Sequence, residues 1–318
     1  MPLNRSPFIY STDNKRYYTL NTYFRTVYGE KLYKAVIDCG FTCPNIDGTK
    51  GRGGCIFCDG GSGYFTDGSL DTASQLEKEY ARIIEKNGKA GIIVYFQANT
   101  NTYAPAARLR EIFESVLEYP FVKGLSIGTR ADCLPDDVME LLCDLGSRTA
   151  LTVELGMQTV HDETISLINR CCTHEEFLVG YNKLKSCGIR ICLHIINGLP
   201  GESREMMTET ARQTAMLAPD GVKLQMLHVI RGTRLAEMYE NGGVPLLSRD
   251  EYIDTVVSQL EVLPPETVIE RITGDGDKRK LIAPLWSADK IAVLGGIDKR
   301  LAELDTWQGR LYRSSTDK

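Results

Sequence analysis

Four cysteines fall within twenty residues: Cys39, Cys43, Cys55 and Cys58. Three lie on one stretch, Cys43-Pro-Asn-Ile-Asp-Gly-Thr-Lys-Gly-Arg-Gly-Gly-Cys55-Ile-Phe-Cys58, a C-x11-C-x2-C pattern. The C-x2-C pair offers two sulfur ligands from one tight turn, and the longer arm returns a third. Seven glycines among residues 48–63 let the backbone wrap closely around a bulky group. Thiolates on such a loop suit a soft metal centre. An iron–sulfur cluster held by three cysteines is one reading. A structural zinc site using Cys39 as fourth ligand is the other, and these twenty residues leave both open. A phosphate cradle is disfavoured, because the loop lacks the spacing that ends in Gly-Lys-Ser/Thr.

Short Val/Ile-rich runs that alternate with amphipathic stretches position this loop. Strands are expected at 33–38, 91–97, 122–128, 150–155, 190–197 and 221–229. Helical stripes fill the gaps: Leu76/Tyr80/Ile83/Ile84, Leu109/Ile112/Phe113/Val116 after Pro105, and Val138/Leu141/Leu142/Leu145 after Pro135. Thr173-x-x-Glu176 and Ser248-x-x-Glu251 read as capping boxes. Strict β-then-α alternation implies parallel strands with right-handed crossovers. The expected fold is α/β, a partial (β/α)6 TIM-like barrel with a C-terminal α/β extension. The expected division is a core barrel with its N-terminal segment over 1–243 and an extension over 244–318 packed on it. The extension carries a strand at 267–273 and a last helix marked by Ile291, Leu294, Ile297, Leu301 and Leu304. The cysteine loop follows the first strand, at the end where parallel α/β folds build their sites.

The composition bounds the rest. A chain of 318 residues, 42% hydrophobic and 25% charged, folds as a globular protein rather than staying disordered. A net charge of −5 argues against bulk electrostatic binding of nucleic acid. No apolar run reaches the roughly 18 residues of a membrane span, and the N-terminus has no apolar signal core. A cytoplasmic protein that does not engage membranes is expected, with its thiols reduced. Cys133, Cys143, Cys187 and Cys192 then read as small packing residues, and Cys171-Cys172 as adjacent thiols that do not bridge each other. The first 34 residues hold six Tyr, two Phe, six Lys or Arg and two acids. This segment either packs its tyrosines on the barrel or offers RNA a place to dock.

The other strand ends separate the two metal readings. Ile127-Gly-Thr-Arg-Ala-Asp132 follows the third strand, and Val153-Glu-Leu-Gly-Met-Gln158 covers the fourth, with Ile168-Asn-Arg170 after it. His194-Ile-Ile-Asn-Gly-Leu-Pro-Gly-Glu202 ends the fifth, and Lys223-Leu-Gln-Met-Leu-His228 is the sixth. With the three-cysteine loop, these resemble the radical SAM superfamily, in the branch near the Elongator catalytic subunit and the YhcC-type Fe–S oxidoreductase family. The resemblance runs from about Tyr17 to Trp286, with Arg271–Asp275 and Ala283–Trp286 as C-terminal marks.

It implies that Cys43, Cys55 and Cys58 hold three irons of a [4Fe–4S] cluster and that S-adenosylmethionine (SAM) binds the fourth. The cluster would cleave SAM reductively, and the resulting 5′-deoxyadenosyl radical would abstract hydrogen from a substrate. Gln158 and Arg170 resemble SAM-contacting residues, the guanidinium suiting the SAM carboxylate. His194 stands where relatives place an acidic residue on the SAM ribose. Gln97 replaces the Gly-Gly-Glu element usual after the second strand. Arg130, with Asp132, becomes a candidate for the pocket wall because Gly128 stands where relatives have Glu. Glu154, a carboxylate in an apolar strand, is a further pocket candidate. His228 and Gln225 end the sixth strand, within reach of adenine or substrate or packed in the core. Cys39 lies outside the motif. An electron donor such as flavodoxin or ferredoxin is implied, and an RNA substrate only by analogy with the Elongator branch.

Overall fold

The computed structural model describes residues 8, 10, 14–60, 66–274 and 276–313. Gly61, Gly63 and Asp275 of the motifs above, and part of the Tyr-rich segment, lie outside the described residues. The elements are α1 (Leu20–Tyr28), β1 (Leu32–Ile37), α2 (Thr72–Asn87), β2 (Gly91–Phe96), α3 (Ala106–Ser115), β3 (Val122–Thr129), α4 (Asp136–Arg148) and β4 (Ala150–Gln158). They continue as α5 (Asp162–Leu167), α6 (His174–Ser186), β5 (Arg190–Asn197), α7 (Arg204–Leu217), β6 (Gly221–Met226), β7 (Val229–Ile230) and α8 (Arg234–Glu240). The last are α9 (Arg249–Val262), β8 (Val268–Arg271), β9 (Leu281–Ala283), a 3-10 turn at Leu285–Ala288, and α10 (Lys290–Glu303). The sheet has seven strands in the order β1-β2-β3-β4-β5-β6-β8. The expected α/β class with a TIM-like partial barrel is the observed one.

The chain forms two compact units. One comprises residues 24–156 and 169–192. In it β1 to β4 run parallel and in chain order. All six residues of β2 are buried, which explains why Gly-Ile-Ile-Val-Tyr-Phe carries no polar alternation. Leu76 and Ile83 of α2, Leu109 and Phe113 of α3, and Leu142 and Leu145 of α4 are buried, so the helical stripes mark core faces. The Thr173/Glu176 capping box is present in full at the start of α6.

The other unit comprises residues 1–23, 157–168 and 193–318. In it β8 pairs with β6 in parallel and β9 pairs with β7 antiparallel. The sixth strand was expected as one run, 221–229, but it stops at Met226. Leu227 N donates to Asn197 O (2.9 Å), which turns the chain before β7 starts. The Ser248/Glu251 capping box opens α9 as expected. In α10 the buried residues are Val293, Ile297 and Leu301, whereas Ile291 is 84% exposed. The core stripe is therefore offset from the expected one at its first turn.

The Tyr-rich segment is engaged by its own unit where it is described. Arg16 pairs with Asp305 (3.0 Å), Lys15 with Asp298, and Tyr10 donates to Glu266 (3.1 Å). Tyr17 is buried, and Tyr10 stacks on Tyr18 with centroids 5.4 Å apart.

Two cysteines read as packing residues are corrected. Cys143 on α4 and Cys187 at the end of α6 form a disulfide, with Cα atoms 5.7 Å apart. Cys187 is exposed at the C-cap of α6 rather than buried, which puts its sulfur beside α4 instead of in the core. Cys133 and Cys192 are buried, as expected of packing residues.

Candidate functional site

The cysteine loop leaves β1 and folds on its own backbone. Cys43 O accepts from Ile46 N (2.8 Å) and Asp47 N (3.2 Å), and Gly54 N donates to Asn45 O (2.9 Å). Cys58 N donates to Cys55 O (2.9 Å), closing the C-x2-C turn. Gly53 and Gly54 both have positive φ, 79° and 72°, a pair of left-handed residues that a side chain would strain. At Gly51 a Cβ would overlap Asn45 Oδ1 and come within 2.7 Å of Cys171 Sγ. This explains glycine in the arm between the first and second cysteines.

Residues 169–171 hold the loop from the far side. Asn169 Nδ2 donates to Gly54 O (2.8 Å) and Arg52 O (3.1 Å). Asn45 Nδ2 donates to Asn169 O (2.5 Å) and faces Cys55 Sγ at 3.7 Å. Asn169 and Cys171 are both left-handed, with φ of 54° and 52°. Asparagine tolerates this region better than most residues. Arg130 fixes the turn by donating to Arg170 O (2.9 Å) and Cys171 O (3.1 Å).

The three motif thiols lie within electrostatic reach of one another. Burial pushes the Cys55 thiol up to about 11; Cys58 and Cys43 push the same way, and Arg170 and Arg130 pull back. Burial also raises Cys58, with Cys43 adding to it. Bare, Cys55 is therefore a thiol at neutral pH, and binding iron would displace its proton. Cys39 has other company. Its sulfur sits 3.8 Å from Thr72 Oγ1, and burial, Asp38 and Arg108 set its pKa of about 11 along with that bond. Among the described residues no three His, Cys, Asp or Glu side chains are grouped to hold a single metal ion.

The donor set fits a cluster bound by thiolates. Three sulfurs come from one pinned loop, an amide N–H points at one of them, and two guanidiniums favour negative charge there.

The other expected site residues divide between the units. Arg130, 9% exposed, makes a two-bond pair with Asp132 at 2.9 Å each. Burial opposes the charge of both, and the pair outweighs it. Arg130 ends above its usual range, and Asp132, also paired with Lys50 (2.7 Å), is held at about 2. Arg170 is buried and donates to Cys172 O (2.9 Å) and Gly156 O, with its guanidinium 6.0 Å from the Phe177 ring. Part of its donor fan thus shapes backbone. Glu154 is buried and accepts from Lys34 Nζ (2.7 Å) and Ser126 Oγ (2.6 Å). Gln97 directly follows β2, its N–H on Ile37 O (3.2 Å). Gln158 (φ 69°) and His194 on β5 belong to the other unit. His228 is there too, beyond the end of β6. Its Nε2 is buried without a hydrogen bond, and burial, then Lys290, lower its pKa to about 4.

Sequence reasoning missed Asn45, Asn169 and Lys50. Asn169 lay inside a quoted motif, and its type, common in left-handed turns, was the available signal.

Comparison with known proteins agrees with the loop. The description "Radical SAM superfamily" matches residues 46–214, and "Radical_SAM C-terminal domain" matches 219–303. A Bacillus subtilis (strain 168) protein, YtqA, is 48% identical over 98% of this chain and 97% of its own length. Escherichia coli (strain K12) YhcC is 34% identical over 87% of this chain and 89% of its own. The structure of archaeal Methanocaldococcus infernus Elp3 superposes with a TM-score of 0.66 at 19% identity, covering 87% of this chain and 64% of that one, a likeness of fold. More than half of the chain lies in the first match, and that stretch contains the loop's C-x2-C turn and its Asn169 pin. The chain therefore belongs to the radical SAM superfamily of enzymes.

Proposed function

We propose that Cys43, Cys55 and Cys58 hold a [4Fe–4S] cluster that serves SAM-dependent hydrogen abstraction. The observation that carries this reading is the placing of three thiols, within electrostatic reach of one another, on one loop pinned by Asn45 and Asn169. When bound, the cluster and SAM together supply reductive cleavage of the sulfonium and a 5′-deoxyadenosyl radical.

The chain's own residues do the rest. The Asn45 amide donates toward Cys55 Sγ and favours the thiolate form. Arg130 and Arg170 add positive potential at that sulfur. Arg170 has N–H donors beyond its two backbone bonds and is assigned the SAM carboxylate. Gln158 and His194 are assigned to SAM as well, and Glu154 and Gln97 to the pocket. The core division at 1–243 and 244–318 belongs to the same reading. Electrons come from a flavodoxin- or ferredoxin-type donor. The RNA reading rests on the likeness to Elp3, and Lys15 and Arg16 are engaged within the chain. Among the described residues no helix is long and apolar enough to cross a membrane.

Anaerobic purification and turnover test the proposal. Brown protein with about four irons per chain, releasing 5′-deoxyadenosine from SAM under reduction, is expected. Cys39→Ala should keep the iron. Colourless protein that retains zinc after anaerobic iron and sulfide loading, and loses it in Cys39→Ala, overturns the proposal.

A further inference from the structure

Beside the cysteine loop, and wholly within residues 24–156 and 169–192, lies a cavity of about 810 Å³. That size is within the usual range of small-molecule sites. Its wall is mostly apolar, with Leu134 and Val179 among the contributors, and Lys50, Tyr103, Asp132 and Lys183 supply polar groups. Among the described residues that line it, none is a motif cysteine.

The polar groups are unevenly engaged. Asp132 accepts two bonds from Arg130 and one ion pair from Lys50. Glu176 on the rim accepts from Thr173 N (2.7 Å) in the capping box. Tyr103 donates to Thr49 (2.8 Å). Both oxygens of Asp132 and one of Glu176 are thus engaged by the protein, while the lysines keep N–H groups to spare. Lys50 has one partner, Asp132, for three N–H groups. Lys183 reaches Leu134 O (3.3 Å) and Asp136 (3.0 Å), whose side chain is 93% exposed. An ion pair that open to water contributes little and exchanges easily. Spare positive donors over an apolar wall select a ligand with the opposite charge and an apolar body.

We propose that this cavity binds a small organic anion, with its apolar part against Leu134 and Val179 and its carboxylate or phosphate group on Lys183 and Lys50. Lys50 belongs to the cysteine loop. Through Asp132 it meets Arg130, which holds the backbone of Arg170 and Cys171. Occupancy of the cavity therefore bears on the same turn that pins the loop, without touching the thiols.

The test titrates cluster-loaded protein with anilinonaphthalene sulfonate, an apolar anion that fluoresces on burial. Saturable binding at one site per chain is expected. Lys183→Gln should weaken it about tenfold, as for a lost charged hydrogen bond, and N-phenylnaphthylamine, which lacks the sulfonate, should bind weaker by a similar factor. Val179→Trp fills the cavity from an exposed helix position and should abolish binding, with circular dichroism unchanged. Displacement of the dye by phenyl phosphate or by phenylacetate tells phosphate from carboxylate recognition. Failure of both to displace it, equal binding of the uncharged dye, or undiminished binding in Lys183→Gln overturns the proposal. The last two readings do not depend on Val179→Trp folding, and none depends on SAM cleavage.

Discussion

Two pairs of amide side chains in this protein do opposite jobs. Asn197 and Gln259, both fully buried, face each other with bonds of 2.9 and 2.8 Å, and Gln259 also donates to Met207 O (2.9 Å). That circuit is closed, and a buried polar circuit of this kind specifies packing. Asn45 and Asn169 form an open one. Asn169 spends both donors on loop backbone, Asn45 points a donor at a thiol, and Asn45 Oδ1 is buried without a partner. The same chemical group thus locks the fold when it pairs with its like, and clasps the cysteine loop when its partners are backbone carbonyls, with one N–H also facing a thiol.

The contrast can be broken at four places. Cys55→Ser should give the largest effect: cluster content and 5′-deoxyadenosine formation fall to background while circular dichroism is unchanged. Retained iron at wild-type level would remove the thiols from the comparison. Gln259→Ala should act on the fold instead. It orphans the Nδ2 and Oδ1 of Asn197, at about 1–3 kcal/mol for each group, read by urea unfolding. SAM cleavage per folded molecule should stay as it was. Asn169→Ala should reverse that pattern, with roughly 10- to 100-fold weaker iron retention against chelator and little change in unfolding midpoint. The smallest effect is in acid. The Asp132 carboxyl is held at about 2, below its ordinary 3.8. Its contribution, about 2 kcal/mol, is present above pH 4 and is lost as pH falls toward 2, because the unfolded chain takes up the proton first. Asp132→Asn should flatten the fall in unfolding free energy between pH 5 and pH 3. An unchanged slope would mean that the Arg130 pair does not stabilise the turn.

The sequence displays one half of this comparison more clearly than the other. Periodicity locates β1 to β6 to within a few residues, because each strand carries several buried apolar residues in a short run, and the capping boxes at Thr173 and Ser248 mark helix starts chemically. The cysteines stand out because they are rare residues at close spacing. Asn45 and Asn169 do not, since their bond spans 124 positions and nothing local announces it. Cys143 and Cys187 are 44 positions apart and meet only when α4 and α6 pack. Strands β7 and β9, two and three residues long, are too short to show alternation.

The clasp around Gln308 has a consequence for how the chain is made. Tyr18 N donates to its Oε1 (2.9 Å), its own N–H binds Arg16 O (2.9 Å), and its amide caps Pro264 O (2.6 Å) and Thr267 O (2.8 Å). Its partner at residue 18 was synthesised 290 positions earlier. Translation runs one way, at about 5–20 residues per second. The segment carrying Tyr17 and Tyr18 therefore waits on the order of half a minute for the residue that completes its hydrogen bonding.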